Sequence, residues 1–248
     1  MRRRERVLLI LQARMGSRRL PGKSLLPLAG APLVGRIIER VRRCQSIDEI
    51  VLATTRKSED DPLEALAHEY EVTAFRGAED DVLDRYYQAA RQCDGQLIVR
   101  LPADNPVPEP EEIDRIVAYH RTGQSEFSSN LAQVYGNGYP DGIGAEVMSF
   151  DVLQAVWHAC TESEKREHPH LNFFDYRAQQ ATDPDCYRVG TVQCPAAFRR
   201  PDLVLDVNTP EEYAVMAALY EALYPRNHQF HITDIIRWHD ALRSPVTR

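Results

Sequence analysis

The sequence predicts an α/β protein: a doubly wound, mostly parallel sheet carrying a small extension. Three observations lead there. Short apolar runs alternate four times with amphipathic, helix-like stretches, at intervals of roughly 25 residues. That is the rhythm of parallel strands joined by right-handed crossovers. The first run ends in a loop rich in glycine and cations, the layout of a phosphate-binding turn at the carboxyl end of a strand. The rhythm then breaks after residue 130, and residues 135–195 are expected to form the extension within a single domain spanning 1–248.

The first strand is Val7 to Gln12, an apolar run with a polar end. The next eleven residues, Ala13 to Lys23, hold four Arg or Lys, two Gly, one Ser and one Pro. No packed element wants that composition, whereas a loop wrapped around phosphates does. Glycine lets backbone N–H groups come close, and the cations balance charge. The loop is not a Walker loop, because five residues separate Gly16 from Gly22-Lys23-Ser24 and Pro21 favours an extended chain. A Gly-x-Gly-x-x-Gly dinucleotide fingerprint is absent. The competing reading is a solvated basic loop. Against it stands Lys23, one of only three lysines among thirty basic residues. A lysine kept there suggests a need for a compact ammonium on phosphate. From Leu25 to Arg43 an apolar pattern resumes, with Pro32 placed like the first residue of a helix.

The motif Gln12-Ala-Arg-Met-Gly-Ser-Arg-Arg-Leu-Pro-Gly-Lys23 resembles the signature of the cytidylyltransferase superfamily, which includes the CMP-KDO and CMP-sialic acid synthetases. The likeness is to the branch named after spore coat polysaccharide biosynthesis protein F. It implies a Rossmann-like nucleotide-diphospho-sugar transferase fold.

Composition sets outer limits. The net charge of −7 disfavours general nucleic-acid binding, since the basic residues are local. Met1 to Arg6 looks like the start of a leader, but the apolar run Val7 to Leu11 is too short for its core. No stretch approaches a membrane span. Cys44, Cys93, Cys160, Cys186 and Cys194 are odd in number and scattered, so they read as reduced thiols of a cytoplasmic protein.

The remaining elements follow in order. Asp48 to Thr55 is the second strand. A helix opens at Pro62, and Glu71 to Phe75 is the third strand, ending in Arg76-Gly77. Asp81 to Gln92 places Val82, Leu83, Tyr86, Ala89 and Ala90 on one helical face. Gln96 to Leu101 is the fourth strand. The strand ends of a parallel sheet share one rim, so Asp104 should lie near the Gln12–Lys23 loop. A carboxylate beside triphosphate calls for Mg²⁺ between them; the alternative is an aspartate that merely makes a turn. Pro110 to Thr122 is a helix and Glu126 to Asn130 a short strand. Tyr135 to Met148 is rich in Gly, Tyr and polar groups and ends in a strand. Phe150 to Cys160 is amphipathic. His168 and His170 do not read as a zinc pair, because Pro169 between them breaks the helical geometry. Cys186 to Cys194 alternates like a strand, and Leu203 to Val207 is another. Thr209-Pro210 caps a helix. Glu211 to Tyr224 and Thr233 to Leu242 are helices.

What the resemblance implies for function is nucleotidyl transfer, with CTP as donor, pyrophosphate as leaving group and a small anionic acceptor: an acidic sugar, a phosphonate or a phosphorylated alcohol. Arg14, Arg19 and Lys23 would be the catalytic cations. Leu11, Gln12, Ala13, Gly16, Ser17, Arg76 and Asp104 would bind nucleotide, and Asp104 and Asp206 would hold Mg²⁺. Tyr139, Asp141, Glu146, Arg166 and His168 would meet the acceptor. Relatives often carry an acid where this chain has Gly144. Surface polysaccharide or glycoconjugate synthesis and a homodimer are also implied. Two rivals are a glycosyltransferase using a nucleotide sugar, which should show an Asp-x-Asp motif, and a non-catalytic nucleotide-binding protein, which would be expected to lose Lys23 or an aspartate.

Overall fold

The computed structural model describes residues 5–243; residues 1–4, most of the basic start weighed above, lie outside them. Seven strands form the main sheet: β1 (Val7–Gln12), β2 (Glu49–Thr55), β3 (Thr73–Gly77), β4 (Leu97–Pro102), β5 (Phe127–Ser129), β6 (Glu146–Ser149) and β7 (Val189–Gly190). Their order is β7-β5-β6-β4-β1-β2-β3. Only β6 runs antiparallel to its neighbours, β4 and β5. The helices are α1 (Leu33–Val41), α2 (Asp61–Glu69), α3 (Val82–Gln92), α4 (Pro110–His120), α5 (Phe150–Ala159), α6 (Ser163–Glu167), α7 (Pro210–Leu223) and α8 (Ile232–Arg243).

Period-two alternation builds two cores from the same strands. Val7, Leu9 and Leu11 of β1, with Val99 and Leu101 of β4, face one layer, covered by α1, α2, α4, α7 and α8. Leu8 and Ile10, with Val51 and Ile98, face the other, covered by α3 and α5. Burial on both faces is why these strands read as continuous apolar runs. Gln12 is level with Ala53 of β2 and Pro102 of β4, so three strand ends open on one rim. Among the described residues no helix is long and apolar enough to cross a membrane.

Three expected elements differ. Pro32 does not begin α1. It pairs with Pro27 in a two-residue hairpin that turns through Ala29 (φ +45°) and Gly30 (φ +83°), and its own extended ψ of 146° delays the helix to Leu33. Of the alternating stretch Cys186–Cys194 only Val189–Gly190 pairs in the sheet, beside β5. Leu203–Val207 is not a strand: a single bridge joins Val204 to Asp141, while the N–H of Val207 goes to the loop after β4. Both stretches alternate, but β5 is short and pairs only two residues of the first, and loops rather than a strand edge supply the partners of the second. The segment 135–195 contributes β6 and β7 to the sheet and carries α5, α6 and a small hairpin, Phe174–Asp175 with Gln180–Ala181.

Candidate functional site

The loop after β1 is closed by its own backbone. Met15 O accepts from Ser17 N (2.8 Å) and Gly22 N (3.1 Å), and the Ser24 hydroxyl donates to Arg14 O (3.3 Å). Gly22 turns the chain at φ +71°, a conformation glycine adopts without cost. A buried carboxylate anchors the ring: Asp60 accepts from Met15 N (2.7 Å) and Thr55 N (3.1 Å). Burial works against its charge, but these hydrogen bonds and the Thr55 hydroxyl outweigh it and hold its pKa below the ordinary value. The side chains of Arg14, Arg18, Arg19 and Lys23 are thereby left to one side, lining a cleft of about 350 Å³ together with Gln12, Ala13 and Ser17.

Opposite them lies an acidic floor. Lys23 Nζ donates to Val207 O (2.8 Å) and Asn208 Oδ1 (3.5 Å), and sits 3.8 Å from Asp104 Oδ2. Burial lowers its pKa while Asp104 opposes the shift. Leu203–Val207 is laid between two loops. Asp141 exchanges backbone hydrogen bonds with Leu203 and Leu205 (2.8 and 3.1 Å), and Val207 N donates to Asp104 O (2.7 Å). Gly142, at φ +91°, permits this approach: a Cβ there would stand 3.0 Å from Asp206 N. Asp206 is pushed up to about 6, by burial first and then by the charges of Asp141, Asp104 and Glu212. Asp141 is raised too, by burial and by Asp104. Asn208 Nδ2 donates to Asp206, and the next residues form a capping box in which Thr209 and Glu212 satisfy each other's N–H at the start of α7. Carboxylates whose pKa is raised in this way are stabilised as anions by any cation placed among them. Among the described residues, however, no three His, Cys, Asp or Glu side chains form a protein-only metal cage.

The far wall is made by Val82, Arg100, Glu167 and His168. Arg100 and Glu146 face each other across β4 and β6, with side chains 9 % and 0 % exposed, and Arg100 Nη1 donates to Glu146 Oε2. Burial alone would lower the arginine's pKa; Glu146 more than offsets that and raises it. The second oxygen of Glu146 accepts from the Tyr176 hydroxyl (2.8 Å), which also meets Ser129 Oγ (2.8 Å). His170, beside Tyr176, is driven down to about 4 by burial.

The sequence and the fold both have likenesses among known proteins. The cytidylyltransferase family profile matches residues 8–192. The chain belongs to the cytidylyltransferase family. It is 34% identical over 220 residues to spore coat polysaccharide biosynthesis protein SpsF of Bacillus subtilis, covering 87% of this chain and 86% of that one. Among solved structures, a cytidylyltransferase from Leptospira borgpetersenii superposes with a TM-score of 0.84 at 25% identity, covering 96% and 95% of the two chains. A CMP-KDO synthetase complexed with CTP gives 0.62 at 16% identity over 88% and 99%, a likeness of fold.

Within this cytidylyltransferase fold the cleft gathers Gln12, Ala13, Arg14, Ser17, Arg19, Lys23, Asp104 and His168 of the residues singled out from the sequence. Asp141 and Asp206 lie beside Asp104, close enough to shift each other. Others are elsewhere. Leu11 is fully buried in the core. Gly16 faces Glu59, whose Oε1 would be 3.3 Å from a Cβ at that position. Arg76 bonds Thr55 O, Lys57 O, Glu64 and Asp61, tethering the edge of the sheet at β3. Tyr139 is buried against α4, its hydroxyl bonded to Glu112 and Arg115. Arg166 bonds Asp81 (2.7 Å) and the carbonyls of Trp157 and Cys160, closing the end of α5. Glu146 has both oxygens occupied and holds Arg100. Gly144 is explained by packing: a Cβ there would lie 2.4 Å from Asn130 O, and Asn130 Oδ1 takes the neighbouring Ala145 N–H (2.9 Å). A side chain fits there only if the Asn130 backbone shifts. The cleft residues to which the sequence assigned no role are Arg18, Ser24, Val82, Arg100, Pro102, Ala103, Glu167 and Asn208. Arg18 and Ser24 stand in and beside the cationic loop, and Arg100 shows as a cation interrupting the apolar run Leu97–Leu101.

Proposed function

We propose that the protein transfers CMP from CTP to a small anionic acceptor, an acidic sugar, phosphonate or phosphorylated alcohol, and releases pyrophosphate. The observation that carries this is the meeting of Arg14, Arg19 and Lys23 with Asp104 across one cleft, with Asp206 beneath. An acceptor oxygen attacks the α-phosphorus; the bond from that phosphorus to the bridging oxygen breaks, and its electrons leave with pyrophosphate. Such transfer is mostly positioning and charge neutralisation. Arg14 and Arg19 hold the β and γ phosphates, and Lys23 steadies the charge that builds on the leaving group. Gln12 and Ala13, at the strand end, would touch the base.

Asp104 and Asp206 fit Mg²⁺. Two carboxylates suit an ion that takes its other ligands from phosphate and water, and a cation would offset the burial and the neighbouring negative charge that raise Asp206. Bound there, Mg²⁺ would neutralise α-phosphate charge. The family resemblance to SpsF supports a role in polysaccharide biosynthesis, and the five free thiols suit a reducing cytoplasm. Residues 135–195 are assigned to acceptor binding and to a twofold homodimer contact.

The test is pyrophosphate release with each of four nucleoside triphosphates against a panel of acceptors. Release with CTP and an anionic acceptor is expected. Turnover of a nucleotide sugar in place of a triphosphate would replace this reading with glycosyl transfer.

A further inference from the structure

We propose that Arg100 receives the acidic group of the acceptor, with Glu146 and Tyr176 as positioning residues. The proposal rests on the cleft being a CMP-transfer site, and it names the group on the protein that recognises the second substrate.

The nucleotide side of the cleft already has its cations, Arg14, Arg18, Arg19 and Lys23, all on one contiguous loop. Arg100 comes from β4 and stands on the other wall, with Val82, Glu167 and His168. It is deeply buried yet lines the cleft. A guanidinium carries five N–H donors. One nitrogen, Nη1, is used on Glu146, while Nε is buried with no protein partner. The Tyr86 ring lies 5.3 Å from the guanidinium, and its hydroxyl is likewise buried without a protein partner. Nε and the Tyr86 hydroxyl are sealed from solvent, so a ligand in the cleft meets the part of the guanidinium that lines it.

Glu146 cannot supply what is missing. Oε2 is taken by Arg100 and Oε1 by Tyr176, whose hydroxyl is itself fixed by Ser129. The chain Ser129–Tyr176–Glu146–Arg100 therefore locks the guanidinium in one orientation and leaves its remaining edge for a ligand. A planar fork matches carboxylate or phosphonate oxygens two at a time, through charge-assisted hydrogen bonds. A neutral polyol offers no comparable acceptor. The acid is bound by Arg100, and the reacting oxygen of the same molecule is thereby directed toward Asp104 and the phosphate loop.

The experiment is a calorimetric titration of the full chain loaded with a CTP analogue whose α,β bridge is methylene. The probes are 3-deoxy-manno-octulosonate, N-acetylneuraminate, 2-aminoethylphosphonate and glycerol 3-phosphate, with mannitol as the neutral control. At least one acid should bind and mannitol should not. Arg100→Lys keeps a charge opposite Glu146 but loses the fork; it should weaken acid binding at least tenfold and leave affinity for the CTP analogue unchanged. A purely structural arginine would not produce that split. If Arg100→Lys does not fold, Arg100→Met combined with Glu146→Met removes the pair together and takes its place. Wild-type acid affinity in the variant overturns the proposal. So does mannitol binding as tightly as the acids, or no acid binding to the loaded protein. Failure of the CTP analogue itself to bind would bring down the CMP-transfer reading first, and this proposal with it.

Discussion

The two walls of the cleft are built in opposite ways. The phosphate-loop wall is one run of chain, Gln12 to Ser24, closed on itself by Met15 and held by a single buried carboxylate, Asp60. The far wall has no such unity. Val82 comes from α3, Arg100 from β4, and Glu167 and His168 from the end of α6, while Glu146 and Tyr176 behind them belong to β6 and the loop after Phe174–Asp175. The first wall is local chemistry displayed by a turn. The second exists only after the sheet has formed. Each wall should therefore fail in its own manner: the loop by losing turnover with the fold intact, the far wall by losing stability when its buried ion pair is broken.

The largest effect is expected on the far wall. Glu146→Leu leaves the Arg100 guanidinium buried without a counter-charge, which costs about 3–5 kcal/mol. Thermal melting should show a drop of many degrees, and replacing both residues by methionine should recover most of it. A melting temperature unchanged in Glu146→Leu would mean that the pair does not hold this wall.

On the loop, Lys23→Ala should fold normally and lose roughly 10²–10³ in kcat, the scale of one lost donor to developing charge. Lys23→Arg should not restore the rate, because its planar fork cannot occupy the spot between Val207 O and Asp104. Turnover in Lys23→Ala close to wild type would remove this residue from the chemistry.

Smaller effects sharpen the contrast. Gly144→Ala drives a Cβ into the Asn130 backbone and should cost about 1–3 kcal/mol in denaturant unfolding. A neutral result there would undo the packing account of Gly144. His170 adds a pH signature to the far wall. Its folded pKa, about 4, lies below the ordinary 6.5, so the unfolded chain takes up the proton first as pH falls. Stability from this group is complete above about pH 6.5 and is lost as pH drops toward 4, about 1–3 kcal/mol in all. In melts from pH 7 to pH 4.5, His170→Gln should lose less stability than wild type. Parallel profiles would show that His170 is not held neutral.

The same contrast explains what could be read from the sequence. The parallel strands β1 to β4 were legible because both faces are buried and the apolar runs are continuous. The loop was legible because twelve adjacent residues carry its chemistry. Asp104 followed from the shared rim of parallel strands. Tyr139, Glu146 and Arg166 are acceptor contacts only as the family resemblance implies them, and the side chains of all three pair with residues distant in sequence: Glu112, Arg100 and Asp81. Pairing of that kind leaves no local pattern. Leu203–Val207 looked like a strand because alternation reports which side chains are buried, and not whether a strand lies alongside.

The central claim is that Lys23 serves the leaving pyrophosphate while Asp206, charged against its surroundings, serves the metal. Turnover measured against Mg²⁺ concentration for wild type, Lys23→Ala and Asp206→Asn tests it most directly. Asp206→Asn should be slow at low Mg²⁺ and recover in part as Mg²⁺ rises; Lys23→Ala should stay slow throughout. Superimposable curves for the two variants, or wild-type turnover in Asp206→Asn at low Mg²⁺, would contradict the account.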